Sequence, residues 1–292
     1  MKRILKIVGI VLGVLIVLLA IGGGVIYAQN NARLNKIYEV DVFEFEVPEA
    51  TDAVLAEGER IFITRGCGDC HSENGGGGYL VQDPAFGTIT SANITRAAYD
   101  YTADDYIRAI MYGVSHDGTP VGLMPSVDWS QMRAEEIGPL LAYLLQLPPV
   151  DNDLDDTSYG PIGHILIATN QLPIAAETID FETVGIIDLE AEASLDYGSY
   201  LAFSCTGCHG ADFAGAQVPG ASYFSANLTP HETGLADWSL DDFSTAMRTG
   251  IRPNGDTIDP AKMPWTAFAN FTDVEIEAMY LYLQSIPPVA SE

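Results

Sequence analysis

Read for hydrophobic and polar spacing, the chain opens on an uncharged run over residues 7–27, preceded by Lys2, Arg3 and Lys6. As a helix this run would span about 31 Å, the thickness of a bilayer core. It exceeds the apolar stretch of a secretory signal, and the nearest small-residue cleavage position, after Ala28, has Ile26 two residues upstream. An uncleaved membrane anchor over 1–28 is therefore predicted rather than a removed leader. A polar, extended tether is expected over 29–50, where residues 40–47 alternate as a strand would until Pro48 ends them. Beyond it the spacing turns helical. Val54, Leu55, Ile61 and Phe62 predict a helix over 52–64, with a counterpart over 193–203. Thr102 and Ser239, each with an acid three residues on, predict two capped helix starts, and Gly113 and Gly250 suit their ends. Ile137, Leu140, Leu141 and Leu144 fall at i, i+3, i+4 and i+7, as do Ile276, Met279, Tyr280 and Leu283, which marks two helices with one buried face each. Thr272 and Glu275 cap the second, the start of the first near Arg133 is poorly capped, and Pro-Pro stops both.

These elements come in duplicate. Cys67 and Cys205 are 138 residues apart, Asn93 and Asn227 134, Met124 and Met263 139, and the closing Pro-Pro-Val at 148–150 and 287–289 also 139. Two domains are predicted, over 51–150 and 190–292, by duplication of a unit of roughly 100 residues. Residues 151–189 begin acidic and turn apolar around Ile165-Leu166-Ile167-Ala168. That change predicts a short packed helix in a linker that crosses and docks the two domains.

Composition narrows the partners. The net charge is −27; all 40 acidic residues lie at or after Glu39, and five of the 13 basic residues lie at or before Lys36. So acidic a body excludes nucleic acid and favours partners with basic docking surfaces, although solubility alone would also account for the charge.

The chemistry lies in a stretch that occurs twice, Cys67-Gly68-Asp69-Cys70-His71 and Cys205-Thr206-Gly207-Cys208-His209. Two thiols about a helical turn apart can each form a thioether to one porphyrin, and the adjacent His can offer its imidazole to the iron. A redox dithiol or half a zinc site is the alternative for a bare Cys-x-x-Cys, but the immediate His and the second copy disfavour it. The four cysteines of the chain are all consumed by the two motifs. The expected cofactors are two covalently bound haem c groups. Covalent attachment takes place on the far side of the bacterial membrane, so the N-terminus is expected in the cytoplasm and the haem domains on the extracytoplasmic, periplasmic face. For the sixth iron position the candidates are Met124 and Met263, each before Pro in a loop between predicted helices, 53 and 54 residues past its His. Ordinary core packing is the competing account of a methionine; Met111, Met247 and Met279 suit it better, and Met132 is a weak competitor to Met124. His116, His164 and His231 have no counterpart in the other copy and are expected to be exposed or hydrogen-bonded. Asn93-Ile94-Thr95 and Asn227-Leu228-Thr229 fit a glycosylation sequon but are expected to form a structural loop near the haem, and residues 75–78 a flexible glycine turn.

The attachment motifs, with Asn-Leu-Thr-Pro at 227–230, Asp-Trp-Ser at 237–239, Met-Pro at 263–264 and the closing run at 280–289, resemble those of a di-haem class I cytochrome c. They are similar to the multi-haem cytochrome subunits of membrane-associated alcohol, aldehyde and gluconate-type dehydrogenases. The first copy lacks the Pro and the Thr-Gly of the second. The resemblance implies a mainly α fold, with two tandem class I cytochrome c domains behind an N-terminal transmembrane helix. It implies haem bound by Cys67 and Cys70 with His71 and Met124 axial, and by Cys205 and Cys208 with His209 and Met263 axial. It implies one-electron transfer and no catalytic residue, either between redox partners as a carrier or as a subunit of a larger dehydrogenase or oxidase complex. A di-haem peroxidase needs an open iron, which two methionine candidates argue against.

Overall fold

The computed structural model describes residues 2–218 and 220–291. The fold is mainly helical. In chain order the helices are α1 (Lys2–Leu34), α2 (Asp52–Thr64), α3 (Cys67–His71), α4 (Ala103–Tyr112), α5 (Ala134–Gln146), α6 (Pro161–Ala168), α7 (Ala175–Thr178), α8 (Leu195–Ala202), α9 (Thr206–His209), α10 (Leu240–Thr249), α11 (Trp265–Phe268) and α12 (Asp273–Ser285). Short strands are β1 (Gly78–Asp83), β2 (Gly87–Ser91), β3 (Gln131–Arg133), β4 (Ser158–Tyr159) and β5 (Gly185–Ile187).

The chain divides into two compact units. One comprises Met1–Pro48, Gly68–Met132 and Leu141–Gly185; the other comprises Glu49–Cys67, Arg133–Leu140 and Ile186–Glu292. Contact thus groups α2 and the start of α5, which the repeat assigns to the first copy, with residues of the second.

In the first unit, α1 stays exposed from residue 2 to residue 25, is uncharged from residue 7 to residue 25, and is long and apolar enough to cross a membrane. The helix does not stop where its apolar run does. The tether expected from 29 begins only after Leu34, because the last turns of α1 are held by α6. Asn30 Nδ2 donates to the His164 carbonyl at 2.6 Å, and Arg33 makes a forked ion pair with Glu177, closest at 2.6 Å. Residues 40–47 form no strand. Val42, Phe43, Phe45 and Val47 are half-buried and Glu44 and Glu46 exposed; the alternation records one packed face, without the backbone partner that a strand requires. The expected α4 is present with Thr102 in a full capping box and Gly113 at its left-handed C-cap. An unexpected hairpin, β1 with β2, is extended by β4 in an antiparallel sheet of order β1-β2-β4. The apolar centre of the linker forms α6, as predicted.

The second unit is built on α8 against α12. Tyr197, Leu201, Ile276, Met279 and Leu283 are at most 2% exposed, with Phe213, Phe243, Met247 and Phe271 closing the core. Complete burial of such a side chain contributes about 1.5–3 kcal/mol. Only glycine permits the crossing, since a Cβ on Gly198 would lie 2.0 Å from the Ala278 carbonyl oxygen. Ser239 and Thr272 make the predicted capping boxes, with Asp242 and Glu275 as their reciprocal partners. The helix expected over 193–203 is shorter, starting after its Ser194 cap and tightening into a 3₁₀ turn over Phe203–Cys205. A buried ion pair, Arg65 with Glu136 at 2.8 Å, lies beneath the Tyr200 ring and hydroxyl. Arg60 of α2 pairs with Glu275 of α12 at 2.8 Å.

Candidate functional site

Both attachment stretches are short helices, α3 and the turn leading into α9, so that each pair of cysteines lies about one turn apart. Cys70 and Cys208 are exposed, Cys67 and Cys205 half-buried. Burial pushes the Cys205 thiol up to about 11 and raises that of Cys70. Cys205 borders the core of its unit, as does Met263.

The histidines are held in the same way in the two copies. His71 Nδ1 lies 2.8 Å from the Ala92 carbonyl oxygen, and His209 Nδ1 lies 2.7 Å from that of Ala226. A carbonyl can only accept, so Nδ1 carries the proton and Nε2 keeps its lone pair. Burial lowers the pKa of both rings and outweighs these bonds, which favours the neutral imidazole a metal requires. Two thiols at helical spacing beside an imidazole with a free Nε2 are the donor set of a covalently attached haem. The residues fit that group.

A loop behind each histidine fixes the accepting carbonyl. Ser91 Oγ donates to the Cys70 carbonyl and Ser225 Oγ to that of Cys208. Asn93 Nδ2 donates to the Val150 carbonyl at 2.8 Å and Asn227 Nδ2 to that of Val289 at 2.7 Å. Each Asn Oδ1 accepts from the amide and hydroxyl of the Thr two residues on, Thr95 or Thr229. That Thr hydroxyl in turn accepts from the amide of Val150 or Val289. The two sequons are therefore buried braces. The turn after each His is glycine by necessity: Gly77 N–H donates to the His71 carbonyl and Gly215 N–H to that of His209. Both have positive φ, and a Cβ would lie 2.4 Å from the Ser91 oxygen or 2.7 Å from the Ser225 oxygen. The turn expected to be flexible is a fixed one. The bracing roles of Ser91, Ser225, Gly77 and Gly215 were not read from the sequence. The only signal was that Ser-Ala-Asn, and a glycine six residues after His, recur in both copies.

Met124 and Met263 occupy matching backbone. Each is half-buried and followed by a Pro of nearly identical conformation, φ −80 and ψ 51 at Pro125, φ −77 and ψ 55 at Pro264. Each carbonyl accepts from the amide two residues on, at 2.9 Å and 2.7 Å, which starts a short helical turn. Met111, Met132, Met247 and Met279 are core residues, at most 5% exposed. His116 is exposed beside Tyr99, His231 bonds Thr233, and His164 is buried against Asn30.

A family model described as cytochrome c matches residues 55–148 and 196–287. Over 114 residues, 35% of this chain and 26% of the relative, the chain is 39% identical to the gluconate 2-dehydrogenase cytochrome c subunit of Pantoea cypripedii. It is 38% identical over 110 residues, 34% of its own length and 23% of the relative, to the alcohol dehydrogenase (quinone) cytochrome c subunit of Gluconobacter oxydans. Over 108 residues, 33% of this chain and 22% of the relative, it is 35% identical to the fructose dehydrogenase cytochrome subunit of Gluconobacter japonicus. The aligned stretch is about a quarter of each relative's length.

Proposed function

The chain belongs to the cytochrome c family, whose domains carry covalently bound haem c, and on that premise we propose that it is a membrane-anchored di-haem electron-transfer subunit of a dehydrogenase complex. The observation that carries this reading is the duplicated histidine support, His71 on the Ala92 carbonyl and His209 on that of Ala226. One haem would be held by Cys67, Cys70, His71 and Met124, the other by Cys205, Cys208, His209 and Met263. Domain 51–150 holds the first and domain 190–292 the second. Haem c supplies a one-electron iron couple when bound there. The protein residues tune it. The Nδ1–H to carbonyl bond orients each imidazole and strengthens Nε2 as a donor. A methionine thioether favours reduced iron, raises the potential and closes the position that a peroxidase would leave open. Because c-type haem is attached outside the cytoplasm, on this reading both domains lie on the extracytoplasmic face, behind α1 as the anchor.

The relatives' names favour membership of a complex over a free carrier, since each is the cytochrome subunit of a dehydrogenase. Co-purification from native membranes separates the two readings: a stable partner with its own cofactor supports the subunit, and elution alone supports the carrier. For the ligands, a redox titration of the purified protein follows the weak red-region band of methionine–iron ligation. Met124→Ala and Met263→Ala are each expected to remove the band of one haem and lower that haem's potential. An unchanged band in both variants would overturn the assignment.

A further inference from the structure

Helix α6 has two faces of different character. Gly163, His164 and Ile167 are buried, whereas Ile162 is 48% and Ile165 49% exposed, one turn apart on the outer side. The segment Pro-Ile-Gly-His-Ile-Leu-Ile-Ala carries no acidic or basic residue besides the enclosed His164, although the body of the chain is strongly acidic. Ile162 and Ile165 thus form an apolar, uncharged edge on an otherwise acidic chain.

Its place in the fold identifies the contact. Asn30 bonds the His164 carbonyl and Arg33 the Ile167 carbonyl, both across a sequence offset of 134. The two helices therefore advance side by side in the same direction. By that register Ile162 is level with residue 28 of α1 and Ile165 with residue 31. At 1.5 Å per residue they lie roughly 2 and 6 Å beyond Tyr27, where the apolar run of α1 ends. That is the level of the headgroup layer, at its boundary with the acyl chains. The Tyr27 ring packs against His164 at 4.9 Å, an aromatic of the kind that favours this layer. Orientation is fixed from the other side by the β1–β2 turn. Its Ala85 and Phe86 carbonyls accept from the Ile162 and Gly160 amides, at 2.8 and 2.7 Å.

We propose that α6 is a second membrane contact, an interfacial helix whose Ile162 and Ile165 edge rests in the phospholipid surface beside the point where α1 leaves the bilayer. The occupant is lipid because Ile162 and Ile165 lie next to the level at which the apolar run of α1 ends. This proposal rests on the reading of α1 as a membrane span, and the test separates the two.

Full-length protein is reconstituted alone in phosphatidylcholine nanodiscs that contain a lipid with a photoactivatable group on an upper acyl carbon. After irradiation, adducts are mapped by mass spectrometry. Adducts on both 7–27 and 161–168 are expected. The double variant Ile162→Asp/Ile165→Asp should lose at least fivefold of the adduct on 161–168 and keep that on 7–27. The substituted side chains face outward, and an unchanged haem spectrum confirms folding. Adducts on 7–27 alone would overturn the α6 proposal and leave the anchor intact. Adducts on neither segment would overturn both readings. Crosslinks through 161–168 between two copies of the chain, in place of lipid adducts, would show that a second copy covers this edge and overturn the lipid assignment.

Discussion

A backbone carbonyl is the nearest partner of each attachment-motif histidine, and a carbonyl has no residue identity of its own. At the residue scale this explains why Asn93 and Asn227 matter although neither touches the imidazole. Asn227 ties the loop carrying the Ala226 carbonyl to Val289 and satisfies the buried Thr229 amide and hydroxyl. Asn227→Ala leaves the buried Thr229 amide unpaired, at about 1–3 kcal/mol for a buried donor, while the Thr229 hydroxyl keeps its bond to the Val289 carbonyl. The variant is expected to lose about 3 kcal/mol of stability, read by denaturant unfolding, and to broaden the methionine–iron band of one haem as His209 loses its fixed orientation. A loss below about 0.5 kcal/mol with an unchanged band would show that the brace is dispensable. The residues that carry chemistry were legible because Cys, His and Met are rare and their spacing repeats. The bracing Ser, Gly and Asn are common residues whose role depends on which carbonyl they meet, and only the fold brings Val289 to Asn227.

At the scale of elements, caps and stripes were readable because their information is local. Thr272 and Glu275 lie within one turn, and Ile276, Met279 and Leu283 within two. The β1–β2 hairpin and its β4 edge were not readable, because Gly87 pairs with Tyr159 far along the chain. Nor did spacing reveal that Glu275 serves twice, as the cap partner of Thr272 and as the ion-pair partner of Arg60. Burial alone would raise the pKa of Glu275, but hydrogen bonds from Arg60 and Thr272 outweigh it and hold the carboxyl below its ordinary 4.5. A depressed carboxyl adds stability that is complete above its unfolded value and is lost as pH falls through the lower folded one. The second unit is thus expected to weaken on acidification below about pH 4.5. Glu275→Gln should cost about 2 kcal/mol at neutral pH and flatten the acid limb. Denaturant unfolding followed by circular dichroism across that range checks both, and parallel acid limbs in variant and parent would refute the assignment to Glu275.

For the molecule as a whole, the joint between α1 and the rest of the first unit decides how rigidly that helix carries it. A flexible tether from residue 29 would let it tumble, whereas a helix that stays docked to Leu34 carries it at a fixed orientation. Two side chains make that difference. Asn30 is 1% exposed and saturates the His164 carbonyl, so its loss exposes a buried acceptor. The forked Arg33–Glu177 pair is about a third exposed and contributes less, of order 0.5–1 kcal/mol. Together, Asn30→Ala/Arg33→Ala should lower the local opening free energy of residues 29–34 by about 2 kcal/mol. At about 1.4 kcal/mol per factor of ten, backbone amide exchange there should accelerate by more than tenfold. Amides of α12 and the methionine–iron band should not change, because neither depends on this joint. Exchange over 29–34 that is already as fast as that of an unstructured peptide in the parent protein would refute the docking. The segment would then act as the flexible tether that its polarity suggests.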